Sequence, residues 1–141
     1  MPGTTVVEGL KGLNMFVRLL LVEDHAALAE ATAQFLRDAG LEVEIADSGK
    51  KALETGTVFR PEIVLCDIRL PDMSGMDVAR LLRANPQTNT TVIAMHTSIS
   101  DADLHMLEDN EDHGISLFVS KPITDEKLNK LLALLGAARQ A

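Results

Sequence analysis

Ile63-Val-Leu-Cys-Asp67-Ile-Arg-Leu-Pro71-Asp-Met-Ser-Gly75-Met-Asp-Val-Ala-Arg-Leu-Leu-Arg83 holds a complete structural unit. Ile63 to Cys66 is wholly apolar, the pattern of a strand buried on both faces, and it stops at a carboxylate, Asp67. Leu70 to Gly75 contains Pro71 and Gly75 and reads as a turn. Met76 to Ala84 then places Val78, Leu81 and Leu82 at helical spacing. Strand, turn and amphipathic helix follow one another here, and the rest of the chain repeats that order.

Upstream, Phe16 to Val22 is a second apolar run, ending at Glu23-Asp24. Ala26 to Ala39 carries Leu28, Thr32, Phe35, Leu36 and Ala39 on one helical face, and Gly40 supplies the stop. Leu41, Val43 and Ile45 alternate with Glu42 and Glu44, as in a strand near a sheet edge. Ser48 is placed to cap a helix through Ala52 and Leu53 that fades near Gly56. Downstream, Thr91 to His96 and Ile115 to Val119 read as strands. Asp101 to His113 reads as an acidic helix closed by Gly114. Thr124 is placed to cap a last helix bearing Leu128, Leu131, Leu132 and Leu135. Five strands alternating with five helices predict an α/β fold: a five-stranded parallel sheet, doubly wound, with right-handed crossovers.

The chain has 141 residues, enough for one domain, which we place at 16–138; residues 1–15 read as a flexible N-terminal lead-in or linker. That lead-in lacks the basic and apolar blocks of a secretion signal. Aromatic residues make up only 3% of the chain, so the core must be aliphatic. The formal charge of -8 opposes direct nucleic-acid binding and an anionic membrane surface, both of which demand excess positive charge. No apolar run is long enough for a spanning helix. Cys66 is the single cysteine, so no internal disulfide forms, which fits a cytoplasmic location.

The residues that end the strands carry the chemistry. The first strand ends at Glu23-Asp24, the third at Asp67, the fourth at Thr97, and the fifth runs into Ser120-Lys121-Pro122. Ligands of open parallel sheets sit beyond the carboxyl ends of the strands. Three carboxylates gathered there repel one another, and a cation relieves that repulsion. All-oxygen ligation suits magnesium, with manganese as the alternative. Lys121 adds a point charge for a phosphate oxygen and Thr97 a hydroxyl donor. A nucleophilic carboxylate, a cation, a lysine and a hydroxyl are the parts that phosphoryl transfer to Asp67 requires.

In this order, Glu-Asp, Asp, Thr and Lys-Pro, the chain resembles the receiver domain of bacterial two-component response regulators. Asp67 to Gly75 resembles the family's acceptor loop, and Asp67 and Thr97 stand 30 residues apart, the family's usual interval. The resemblance implies a flavodoxin-like (βα)5 receiver fold. It implies that Asp67 is phosphorylated by a histidine kinase or histidine phosphotransfer protein. Glu23, Asp24, Asp67 and the backbone carbonyl of Arg69 would hold magnesium, and Thr97 and Lys121 would bind phosphoryl oxygens. Thr97 and Phe118 would form the switch, Ser98 would leave the acceptor accessible, and the Lys121-Pro122 bond would be cis. A receiver is a signalling module rather than an enzyme, assisting its own phosphotransfer and slow dephosphorylation. A phosphorylation-dependent homodimer is a further option, and the chain would be a stand-alone regulator or the receiver piece of a hybrid histidine kinase or of a larger regulator.

Three features depart from the family. The interval from Thr97 to Lys121 is slightly long, Phe118 stands where tyrosine is common, and His96 stands where an apolar residue is common. Haloacid-dehalogenase-like phosphatases share the aspartate, threonine or serine, lysine and magnesium, but need a second aspartate two residues beyond the nucleophile. Arg69 stands there. A degenerate scaffold receiver would lack part of the set present here. Read alone, each residue has a simpler role: Asp67 a helix cap, Lys121 a surface charge, Glu23-Asp24 a solvated loop. His96 reads as a packed or hydrogen-bonded side chain pointing away from Thr97, Cys66 as buried and inert, and Met73, Met76, Met95 and Met106 as core filler. His105 and His113, on the acidic helix, show no ligand spacing.

Overall fold

Each apolar run becomes a strand because both of its faces find helices to cover them. The computed structural model describes residues 16–100, 103–104 and 114–140. Chain order is β1 (Arg18–Val22), α1 (Ala26–Asp38), β2 (Glu42–Ala46), α2 (Gly49–Phe59), β3 (Ile63–Asp67), α3 (Gly75–Ala84), β4 (Val92–Thr97), β5 (Leu117–Ser120) and α4 (Asp125–Gln140). The strands form one parallel sheet in the order β2-β1-β3-β4-β5. The acidic helix expected over residues 101–113 and the lead-in over 1–15 lie outside the described residues, apart from helical Asp103 and Leu104.

Side-chain alternation splits the core in two. Leu19, Leu21, Ile63, Leu65, Ala94 and Val119 face α1 and α4, where Leu36, Leu128 and Leu132 meet them. Leu20, Val22, Val64, Cys66, Ile93, Met95 and Phe118 face α2 and α3, against Ala52, Val78 and Leu82. The sheet is therefore doubly wound. Arg83, at the end of α3, donates to the carbonyls of Asn89, Thr91 and Gly114 and so fixes the approaches to β4 and β5.

Some boundaries differ from the sequence reading. Phe16 is 80% exposed rather than part of a buried strand, because the ladder begins only at Arg18, opposite Glu42. Helix α2 does not fade at Gly56 but runs on to Phe59. Gly56 is buried against α3, where a Cβ would stand 3.5 Å from Leu82, at ordinary van der Waals contact, so this glycine neither ends the helix nor is demanded by the packing. Leu81 is 45% exposed, since the buried stripe of α3 is Val78, Ala79 and Leu82.

Candidate functional site

Strands β1 and β3 are neighbours in register, Val22 opposite Cys66, so their carboxyl-terminal residues emerge side by side. Glu23, Asp24 and Asp67 each offer a carboxylate oxygen, and these atoms lie within 4.8 Å of one another. Glu23 is buried, Asp67 half-buried and Asp24 exposed. This acidic cluster could bind a metal ion.

Lys121 enters the cluster from the far side of the sheet. Its Nζ donates to Glu23 Oε1 at 2.6 Å and to Asp67 Oδ2 at 3.0 Å. Burial lowers the affinity of that amine for its proton, but the hydrogen bonds and charges of Glu23 and Asp67 outweigh it, and the lysine pKa is raised. Glu23 Oε2 accepts from the His25 backbone N–H at 3.2 Å. The Lys121-Pro122 bond is cis, as the resemblance implied.

The loop after β3 is held tightly. Asp67 Oδ1 accepts from Arg69 N–H at 3.2 Å, and Gly75 N–H donates to the Ile68 carbonyl at 2.7 Å. A Cβ on Gly75 would lie 2.2 Å from the Asp67 carbonyl oxygen, so only glycine permits this approach. Ser74 then caps α3 in a reciprocal pair with Asp77.

Thr97 is buried at the end of β4, one residue past the pair Asp67 and His96. Its Oγ1 accepts from Ile99 N–H at 3.2 Å, leaving the hydroxyl hydrogen free to donate elsewhere. Ser98 is exposed beside it. Phe118 is 5% exposed and packs in the cluster beneath α2 and α3, on the face that alternation gives to Thr97.

The family-model match extends over residues 19–133 and is described as the response regulator receiver domain. The chain belongs to this family. MtrA of Mycobacterium tuberculosis, a DNA-binding response regulator, is 32% identical over 115 residues, which cover 82% of this chain and 48% of MtrA. The chain thus spans about half the length of the curated relatives it matches. The structure of chemotaxis response regulator CheY4 of Vibrio cholerae aligns with a TM-score of 0.74 at 26% identity, over 86% of this chain and 99% of that one. The signal receiver domain of a histidine kinase from Syntrophus aciditrophicus aligns with a TM-score of 0.71 at 26% identity, over 86% and 90%. The flavodoxin-like receiver fold and a role in two-component signalling follow.

The receiver also contains residues that sequence reasoning missed. Asp72, in the loop after β3, accepts from the N–H groups of Gly49 and Lys50, both at 2.8 Å. These bonds dock the loop on the start of α2 and lower the aspartate's pKa. His25 caps α1 through Nδ1, which accepts from Leu28 N–H at 3.2 Å. Lys127 donates to the turn that carries Lys121. Of these, only the position of Asp72 just after a proline carried a turn signal.

His96 is 2% exposed, on the sheet face opposite to Thr97, as alternation required. Its Nε2 is the one buried side-chain polar atom without a hydrogen-bond partner among the described residues. Burial first, then the charge of Lys121, pushes its pKa down to about 4, against the opposing pull of Asp67. Cys66 is fully buried, and burial followed by the charges of Asp67 and Glu23 raises its thiol pKa far above the ordinary range. It is inert. Met95 is fully buried and Met73 and Met76 pack at the margin of the core; Met106, His105 and His113 fall outside the described residues. Among the described residues no helix is long and apolar enough to cross a membrane.

Proposed function

We propose that Asp67 accepts a phosphoryl group from a histidine kinase or histidine phosphotransfer protein, in a magnesium-dependent reaction, and that the modification switches a protein-binding face. The observation that carries this reading is the half-buried Asp67 carboxylate, bonded to Lys121 and crowded by Glu23 and Asp24. In the transfer an Asp67 oxygen forms a bond to phosphorus while the bond from phosphorus to the donor's imidazole nitrogen breaks, its electron pair leaving with the imidazole. Lys121 neutralises charge on the incoming phosphoryl oxygens, and Thr97 donates its hydroxyl to one of them.

The cluster fits a divalent cation, because the Lys121 ammonium already bridges two of its three carboxylates and leaves excess negative charge. We assign Glu23, Asp24, Asp67 and the backbone carbonyl of Arg69 as ligands, directly or through water. Bound magnesium supplies charge neutralisation between acceptor and phosphoryl group. Thr97, drawn toward the phosphate, and Phe118 on the neighbouring strand form the switch. We place the receiver at residues 16–138, with 1–15 as linker, in the cytoplasm, and reserve phosphorylation-dependent dimerisation as one output. The similarity to MtrA supports a parent with a separate DNA-binding part; that to the Syntrophus receiver supports a hybrid kinase.

Incubation with magnesium and acetyl phosphate should add one phosphoryl mass, and Asp67→Asn should abolish the addition, since an amide is a poor nucleophile. Equal labelling of the variant would sink the assignment.

A further inference from the structure

We infer that Lys127 is a positioning residue for Lys121, a reading that rests on Asp67 as the phosphoacceptor. Helix α4 starts at Asp125, and Thr124 Oγ1 accepts from Lys127 N–H at 3.2 Å. The first turn of a helix bears partial positive charge, so acidic residues are favoured there and a lysine is not. Asp125 and Glu126 obey that rule. Lys127 sits in the same turn, and its ammonium folds back onto the preceding strand end.

Its Nζ donates to Ser120 Oγ at 2.7 Å, to the Ser120 carbonyl at 3.1 Å and to the Pro122 carbonyl at 3.3 Å. An ammonium has three hydrogens, so these three acceptors account for all of them. The acceptors belong to the residues on either side of Lys121. Moreover, the peptide unit joining Ser120 to Lys121 is gripped at both ends. Its oxygen accepts from Lys127, and its N–H donates to the Thr97 carbonyl at 2.7 Å. A peptide plane fixed at both ends sets the direction in which the Lys121 side chain leaves the backbone, toward Glu23 and Asp67. The acceptors that occupy the Lys127 ammonium all lie on this turn, so it acts on Lys121 through that backbone.

Lys127→Met tests this, since it keeps the apolar stem and a good helix former while deleting the ammonium. Phosphorylation of Asp67 by acetyl phosphate should slow about tenfold, the scale of one lost charge-assisted contact. In a Lys121→Gln background the same change should slow it no further, because the residue it serves is gone. A wild-type rate in Lys127→Met, or an equal slowing in both backgrounds, would overturn the inference. A second arm needs no phosphate: the Lys121 side-chain resonances in NMR spectra should shift in Lys127→Met at unchanged overall fold. Unshifted Lys121 resonances overturn the positioning role even if Asp67 is the acceptor. Failure of the wild type to take phosphate breaks the acceptor reading instead, and the resonances still decide the fate of Lys127.

Discussion

Strands β1 and β3 carry charged residues at both ends, and the two ends treat them differently. At the amino end, Arg18 Nε donates to the carbonyls of Phe59 and Arg60, both at 3.1 Å, and Nη2 to the Arg60 carbonyl at 2.9 Å. The Glu62 carboxylate accepts from Arg18 backbone N–H at 3.0 Å and lies 3.8 Å from the guanidinium. One cation meets one anion, and backbone carbonyls absorb the remaining donors. At the carboxyl end, three carboxylates meet a single ammonium. A balanced set holds the backbone together and has nothing left over for a ligand. The unbalanced set is costly in the free protein and gains most when a cation or phosphoryl group arrives.

The largest expected effect tests that imbalance directly. Asp24→Ala should weaken magnesium binding by about ten- to a hundredfold, the cost of losing one group that holds a metal directly or through water. The metal-free protein should gain stability, because one repelling carboxylate is gone. Unchanged affinity by calorimetric titration would place the cation elsewhere.

The next effect belongs to His96, also at the carboxyl end. Its pKa falls from 6.5 to about 4 in the folded chain, so below pH 6.5 the unfolded chain takes a proton that the fold refuses. Stability therefore drops as pH falls through this window, by about 2 kcal/mol between pH 7 and pH 5 from this group. His96→Leu should remove that part of the acid slope in denaturant titrations, and an identical slope would show that His96 does not cause it.

Thr97→Ala should slow phosphorylation about tenfold, as loss of one hydrogen bond to a charged oxygen does. It should also erase the chemical-shift changes that beryllofluoride induces at Phe118 in the wild type. Retained shifts would mean that coupling bypasses Thr97. The smallest effect is reserved for the balanced end. Arg18→Met should lower unfolding free energy by about 1 to 2 kcal/mol while leaving magnesium affinity and phosphorylation rate alone. A change in either would mean that the two ends are coupled and the contrast is wrong.

Asp67, the acidic pair, Thr97 and Lys121 were legible as strand-end residues in the sequence for one reason. Each stands at or within two residues of the end of a largely apolar run, and a strand buried on both faces delivers its terminal residue to a fixed edge of the sheet. The same local periodicity identified nine of the elements and both faces of the core, and it missed mainly at their ends. It misplaced Phe16, because whether a residue pairs depends on where the neighbouring strand begins. It stopped α2 at Gly56, because the propensity cost of one glycine is outweighed once the helix packs on its neighbours.

The sequence by itself determined the alternation of strand and helix and the kinds of group at each strand end, since both depend on residues a few positions apart. Tertiary structure alone decided the order β2-β1-β3-β4-β5, which makes Glu23 and Asp67 neighbours across 44 residues of chain. It also decided that Lys121 bonds to both of them, that Asp72 docks on the start of α2, and that the His96 Nε2 finds no partner among the described residues. Periodicity says which face a side chain occupies. What stands across from it depends on contacts between segments distant in the chain, and those exist only once the sheet is assembled.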